Sequence, residues 1–318
     1  MSSSDRPIPA KQQPRFSVAI TTTGYKNLIN NTLGDPERAK RFIASITSAV
    51  AVNPALQDCD AGTILAGALL GESLNLSPSP QLGQYYLVPF ECKVKGPDGK
   101  TLWALDERGE HIKDSNGKWL AVTEKKAQFV LGYKGYIQLA LRSGHYSDLD
   151  VMEIKEGEYL GKDSSTGKPR FKFVEDDGER DALPVIGYMA FFEYLNGFRK
   201  VIYWSKQKMM HHANTYSPAY STEVHAKIIA GEIPEKDMWK YSSFWYKNFD
   251  DMAKKTMLRQ LISRWGVMST ELQRAFVQDT NFAAIGEGNE LVTTPEDQLQ
   301  LTRPESTDVV EKVDLSEI

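Results

Sequence analysis

Between Asp60 and Leu74 the chain carries Gly62, Ala66, Gly67, Ala68 and Gly71 in a largely apolar, proline-free run that reads as a helix. Glycine inside a helix costs about 1 kcal/mol relative to alanine. What these five small residues supply is a thin surface, against which another backbone can close. The fold must therefore bring a second element onto this helix. Its apolar heart, Ile64–Leu70, is the most apolar stretch of the chain and is far short of the ~20 residues that cross a bilayer. A membrane span is excluded, and with 41% hydrophobic and 25% charged residues so are collagen and wholesale disorder.

Around that helix the pattern alternates between helix and strand. Asp35-Pro36 reads as an N-cap followed by proline at the first helical position, and Ala39, Phe42, Ile43, Ile46 and Val50 recur at helical spacing up to Asn53-Pro54. Tyr85–Phe90 reads as a buried strand, and Gln128–Leu131 as its return. Residues 91–126 hold three turn signals, at Gly99, Gly109 and Gly117, and read as an inserted hairpin or small meander. A helix follows over about 133–143. Val151–Ile154, Arg170–Val174, Val185–Tyr194 and Phe198–Trp204 are strand candidates, the last two joined by Asn196-Gly197. Helices are expected over Ser205–Met210, Asp250–Trp265 and Thr270–Asp279, with Thr270 and Gln273 spaced as a capping box. No internal repeat is evident. The class is α+β, a mostly antiparallel sheet flanked by helices. Residues 1–30 read as a flexible N-terminal arm, 31–285 as one domain with the insertion at about 93–126, and 286–318 as a disordered acidic tail.

Charge sharpens that division. The net charge is −4, but residues 287–318 hold nine acids against two bases, which leaves residues 1–286 at +3. A mildly basic body with an acidic tail is a layout of polyanion binders, and also of proteins with a merely solubilising tail. Cys59 and Cys92 form no CxxC, and the polar start MSSSDRPIPAKQQP has no apolar signal core. A reducing cytoplasm is the expected location.

Three constellations can carry chemistry. In GYKGYIQLALRSG, residues 132–144, Tyr133, Tyr136, Ile137, Ala140 and Leu141 share one helical arc, while Lys134, Gln138 and Arg142 form a polar stripe at i, i+4 and i+8. No acid occurs between Lys126 and Ser147. A cationic stripe beside aromatic rings suits a phosphate backbone, though it also suits a solvated helix face. In DDMAKKTMLRQLISRW, residues 250–265, Lys255 and Arg259 lie on the polar side, Lys254 points into the apolar arc and Arg264 lies at its edge. Four bases with no acid after Asp251 favour an anionic ligand over internal salt bridges. Trp239, Tyr241, Phe244, Trp245, Tyr246 and Phe249 crowd eleven residues just before that helix. One or two of them, Trp245 and Tyr133 of the first constellation among the candidates, can stack on bases, and the rest belong to a core.

Enzyme signatures are weak. Walker A, HExxH and GxSxG patterns are absent. His211, His212 and His225 do not have metal-ligand spacing. Glu156, Glu158, Asp176 and Asp177 could form a nuclease carboxylate set, but read more simply as solvated loop acids.

QLGQYYLVPF (81–90), VLGYKGYIQLALRSGHY (130–146), EGE (156–158) and NFDDMAKKTMLRQLISRWGVMSTELQRAF (248–276) occur in this order. Together they resemble the RecT family of phage and prophage single-strand annealing proteins, over about residues 36–285. The resemblance implies a core fold like that of the lambda Red beta protein. It implies ATP-independent annealing of single-stranded DNA in a basic groove of an oligomeric ring or filament, through an annealed duplex intermediate. It implies no cofactor, with Mg²⁺ at most a counterion, a 5′→3′ phage exonuclease and a host single-strand binding protein as partners, and a bacterial cytoplasm. Carried over by motif, Lys134, Arg142, Lys254, Lys255, Arg259 and Arg264 are the DNA-contacting bases. Residues 93–126 depart from the family pattern, which passes almost directly from VPF to GYKG. The competing reading from another class is a metal-dependent nuclease on single-stranded DNA.

Overall fold

The computed structural model describes residues 15–96, 99–106, 108–113, 117–217, 219–241 and 243–279, and the backbone of 281–285 and 291–295. Three helices open it: α1 (Phe16–Ala19), α2 (Thr23–Leu33) and α3 (Pro36–Val52). Phe16, Ala19, Ile20, Leu28 and Ile29 are buried in the core. Among the described residues the packed core therefore reaches back to Phe16, and the arm drawn to residue 30 is too long. Polar residues such as Asn27, Asn30 and Asn31 mask the amphipathic pattern of α2. At α3 the Asp35 carboxylate caps Glu37 N with Pro36 at the first position, as the sequence predicts.

After a 3-10 turn at Pro54–Asp58 comes α4 (Ala61–Ser73), capped by Asp60 on Thr63 N and buried on nearly every side. Its small residues meet a hairpin, β1 (Tyr85–Lys93) paired antiparallel with β2 (Thr123–Leu131). A Cβ at Gly71 would overlap the Tyr85 ring, and one at Gly67 would sit 2.8 Å from Leu87 Cδ2 and 3.7 Å from Phe129 N. These glycines let the hairpin close onto the helix, where Tyr85, Leu87, Ala127, Phe129 and Leu131 fill the core.

The insertion between β1 and β2 is internally repetitive, contrary to the sequence reading. Leu102 N, Val122 N and Val94 N donate to Val94 O, Leu102 O and Val122 O at 2.8–2.9 Å, which closes a ring of three extended segments. Ala104, Leu120 and Ile112 close a second ring in the same way, at 2.7–2.9 Å. Leu102, Ile112 and Leu120 each follow a left-handed glycine by three residues: Gly99 (φ 77°), Gly109 (φ 82°) and Gly117 (φ 78°). The unequal spacing of those glycines hides the three-fold pattern.

The second half begins with α5 (Tyr133–Arg142), β3 (Tyr146–Lys155), β4 (Tyr159–Lys162), β5 (Pro169–Phe171) and α6 (Asp177–Ala182). It continues through β6 (Val185–Tyr194), β7 (Arg199–Ser205), α7 (Lys206–Tyr216) and α8 (Thr222–Ile229). A 3-10 stretch at Glu235–Tyr241, α9 (Phe244–Lys247), α10 (Phe249–Trp265) and α11 (Thr270–Gln278) follow. The main sheet has the order β3-β6-β7, and every strand pairing described is antiparallel. The class is α+β, as expected. Tyr188, Ala190 and Phe192 share one core with Ala253, Met257, Leu258, Leu261 and Ile262 of α10. On α5 the buried residues are Gly135, Tyr136, Leu139 and Ala140, so Leu139, which lies outside the arc read from the sequence, is buried, whereas Leu141 on that arc is exposed. The cap of α11 is Ser269, one residue before the predicted Thr270.

β8 (Asn281–Ile285) and β9 (Leu291–Pro295) pair with each other, and β8 lies against α4 and β2. The boundary drawn at 286 thus cuts a hairpin. The rest of the expected tail, from 296, lies outside the described residues.

Candidate nucleic-acid interface

The GYKG motif opens α5, and its glycines serve the backbone. Gly132 N donates to Gln84 O at 2.8 Å. A Cβ at Gly132 would overlap Gly83 O, and one at Gly135 would overlap Gln84 O. The two glycines clamp the turn before β1 onto the start of α5, and the residues between them, Tyr133 and Lys134, line a cleft of about 410 Å³. Ala49 and Val52 of α3, Pro78, Pro80, Tyr86, Phe244 and Asp251 complete its walls. Tyr86 and Phe244 pack with ring centroids 5.5 Å apart.

Lys134 lines this cleft, and a second ammonium group, that of Lys254, approaches the Tyr133 ring in its wall. Lys134 is exposed, with Nζ 5.9 Å from the Tyr133 ring centroid and no ion pair to a described residue. Lys254 Nζ lies 4.9 Å from the same ring. It also pairs with Asp251 at 2.9 Å and Glu153 at 3.4 Å. Burial pulls the Lys254 pKa down, but the Asp251 hydrogen bond and charge, with Tyr133 and Glu153, outweigh it and leave the group above its ordinary value. The sequence reading that Lys254 must snorkel, pair or meet a ligand resolves as pairing plus a cation–π contact.

Lys255 and Arg259 are placed differently. Both reach the carboxylate of Asp279, whose side chain is only 2% exposed, at 2.8 and 3.0 Å. The same carboxylate accepts from Tyr136 Oη at 3.0 Å and from Leu131 N at 2.8 Å. Asp279 thus ties α10, α5, β2 and the end of α11 together. Burial opposes the Arg259 charge, and Tyr136 and Asp279 overcome it and raise its pKa. The expectation that α10's bases lack an internal acid is wrong for three of the four. For Lys255 and Arg259 the acid lies 24 and 20 residues downstream, outside the helix whose faces the sequence pattern compares, whereas Lys254 takes Asp251, one turn upstream in the same helix, and Glu153 of β3.

The Lys134, Gln138 and Arg142 stripe also divides. Arg142 donates to Leu74 O at 2.8 Å and Asn75 O at 2.9 Å, so it caps the open carbonyl end of α4. Gln138 is half-buried. Trp245 is 7% exposed and packs on Tyr220 and Phe249 at 5.7 and 5.4 Å, so its ring faces the core and not a base. Arg264 is exposed at the far end of α10 with Trp265. Sequence reasoning missed Tyr86 and Asp279 as parts of this region. Phe244 had a signal, since it belongs to the aromatic run, but nothing in the run separates it from Trp245.

The loop acids have structural partners. Glu158 is buried, accepts from Lys155 N at 2.7 Å and meets Arg180 Nε at 2.6 Å. Burial would raise its pKa, but the Arg180 hydrogen bond and two backbone N–H donors hold it lower. Asp176 caps α6 on Glu179 N. Among the described residues no group of three or more His, Cys, Asp and Glu side chains could hold a metal ion, so the nuclease reading has no ligand set to support it. His225 accepts or donates at Nδ1 with Tyr220 Oη, 2.8 Å away, and stacks on Phe249. Among the described residues no helix is long and apolar enough to cross a membrane.

Residues 40–290 match the RecT family profile. The chain belongs to the RecT family. It is 31% identical over 244 residues to the YqaK protein of Bacillus subtilis (strain 168), covering 76% of this chain and 65% of that protein. It is 25% identical over 241 residues to the protein RecT of Escherichia coli (strain K12), covering 76% of this chain and 71% of that one. The match to YqaK thus spans just under two thirds of its length.

Proposed function

We propose that this protein binds single-stranded DNA and anneals complementary strands without nucleotide hydrolysis, as the annealing component of phage or prophage recombination. The observation that carries the reading is the cleft of Tyr86, Tyr133 and Phe244 with Lys134 free at its rim. Phosphates bind the ammonium with no demand on base identity, while aromatic faces accept any base. Lys254 adds a second cation over the Tyr133 ring, already paired with Asp251 and Glu153. Such weak, sequence-blind contacts suit annealing, because bases must stay free to test a complement. Copies of the chain assemble so that their clefts form one groove, fed by a 5′→3′ exonuclease and a host single-strand binding protein. Mg²⁺ enters only as a counterion.

The test is a titration of labelled single strand, followed by its complement, without ATP. Binding with a log–log salt slope set by the phosphates neutralised, and an intact duplex product with Mg²⁺ present, are expected. Absence of binding, or strand fragments, would overturn the reading.

A further inference from the structure

Trp265 ends α10 with 37% of its surface exposed, although an indole gains more from burial than almost any side chain. The exposure is not fraying. Tyr194 Oη donates to Trp265 O at 2.8 Å and accepts from Val267 N at 2.7 Å, while Tyr146 Oη donates to Val267 O at 2.8 Å. Gly266 allows that fit, since a Cβ there would sit 2.7 Å from the Tyr146 hydroxyl. Two tyrosines of β3 and β6 thus hold the helix end and present the ring in a fixed place.

Cations approach the ring. Lys200 Nζ on β7 is 4.4 Å from the ring centroid, and Arg264 Cζ is 6.0 Å away. Neither makes an ion pair with a described residue, in contrast to Lys254, Lys255 and Arg259. Beside them the β6–β7 turn exposes Leu195 and Phe198, with Phe198 stacked on Tyr194 at 5.8 Å. Arg199 is also exposed there, opposite Glu193 in the sheet register. The chemistry is an apolar ring bordered by unneutralised positive charge. A protein surface covering it would have to bring acids, whereas a nucleic-acid strand carries both a stacking base and its phosphates.

We propose that Trp265 is a base-stacking platform for single-stranded nucleic acid, with Lys200 and Arg264 holding the flanking phosphates. It is a second contact point, separate from the Tyr133 cleft: Lys254 and Trp265 lie eleven residues apart on α10, about 16 Å along a helix. The inference rests on the proposed single-strand binding, and its test separates the two.

The full-length protein and its Trp265→Ala, Trp265→Phe and Lys200→Ala/Arg264→Ala variants are titrated with a fluorescent oligothymidine and with an abasic oligonucleotide of the same length. Trp265→Ala is expected to weaken oligothymidine binding about tenfold and to leave abasic binding unchanged. Trp265→Phe retains most of the affinity. The double variant weakens both ligands and flattens the salt slope by about 1.4. Equal loss on both ligands in Trp265→Ala, or no loss, overturns the platform. A changed oligomeric mass with DNA affinity intact also overturns it and assigns the surface to a second copy. If Trp265→Ala does not fold, Trp265→Phe and the double variant carry the test, and a double variant with wild-type binding and slope overturns it. Failure of the unaltered protein to bind either ligand is a different result, which removes the single-strand reading itself.

Discussion

The cations of α10 and α5 divide into two groups that the sequence pattern does not distinguish. Lys255, Arg259 and Arg142 end on a buried carboxylate or on open helix carbonyls, and they hold elements together. Lys134, at the mouth of the cleft, and Lys200 and Arg264, around Trp265, have no ion pair with a described residue and lie against aromatic rings. One basic motif can therefore answer to two constraints at once. The first group neutralises a buried acid or caps backbone carbonyls; the unpaired cations are available to a polyanion. Lys254 stands between the groups, with two acids and a ring as neighbours.

The largest effect that tests this division comes from Asp279. Asp279→Ala leaves Lys255 and Arg259 without their counter-charge in a largely dry site, and removing one partner of a buried ion pair typically costs about 3–5 kcal/mol. Urea unfolding should show that loss. Lys255→Ala with Arg259→Ala should also destabilise, since it leaves the Asp279 charge buried. If the double variant unfolds like the parent and loses only DNA binding, the assignment of these two bases to the structural group is wrong.

Gly135→Ala comes next. The added methyl meets Gln84 O, so the turn before β1 must move away from α5. Overpacking of this kind costs about 1–3 kcal/mol. Because the same contact shapes the cleft, single-strand affinity should fall alongside stability. A variant as stable as the parent would show that the GYKG glycines are not there for close packing.

Local signals in the chain already show much of this organisation, and what they miss has a common cause. The Asp35-Pro36 start, the thin helix at 61–73 and the Asn196-Gly197 hairpin depend on neighbours in sequence, and all three are found in the fold. Asp279 is 20 residues from Arg259 and 143 from Tyr136, so no local window contains the group that neutralises the motif. Arg142 is hidden in the same way, since its acceptors lie 68 and 67 residues upstream. Trp245 and Phe244 are adjacent and chemically alike, and only packing sends one to the core and the other to the cleft. The three-fold insertion escapes notice because its turns are 10 and 8 residues apart.

Lys134→Glu isolates the unpaired group. It breaks no described ion pair, so helix content should stay at the parent level while single-strand affinity falls about tenfold, through one lost phosphate contact and added repulsion. The salt slope should flatten by at least 0.7. Arg142→Glu is the contrast: it removes the cap on α4 and should lower stability before it lowers binding. Equal behaviour of the two variants would erase the distinction drawn here.

A smaller effect concerns acid. Burial and then Lys206 push His225 below its ordinary pKa of 6.5, with Asp250 opposing. The unfolded chain therefore takes up this proton first. The associated stability is complete above about pH 6.5 and is lost as pH falls from there through the folded-state value. His225→Gln should remove that part of the pH dependence, as measured by thermal melting between pH 7.5 and 5. An unchanged profile would mean that His225 does not control the Tyr220–Phe249 cluster in this range.

The smallest effect expected comes from the C-terminal acids. Residues 296–318 carry seven acids and two bases, a net of −5, and β9 ends at Pro295. A stop after Pro295 keeps the β8–β9 hairpin, whereas a stop at 286 removes one of its strands. A tethered segment of that charge competes with phosphates for Lys134, Lys200 and Arg264, which have no internal acid of their own, but gains little at Lys255 and Arg259, which do. Truncation after Pro295 should therefore raise single-strand affinity severalfold at low salt and leave it unchanged at high salt, where screening removes the competition. The gain should vanish when Lys134 and Lys200 are both alanine, and persist in a variant altered only at Arg142. A gain that ignores salt, or one that survives in the Lys134/Lys200 background, would show that the segment does not act through the unpaired cations.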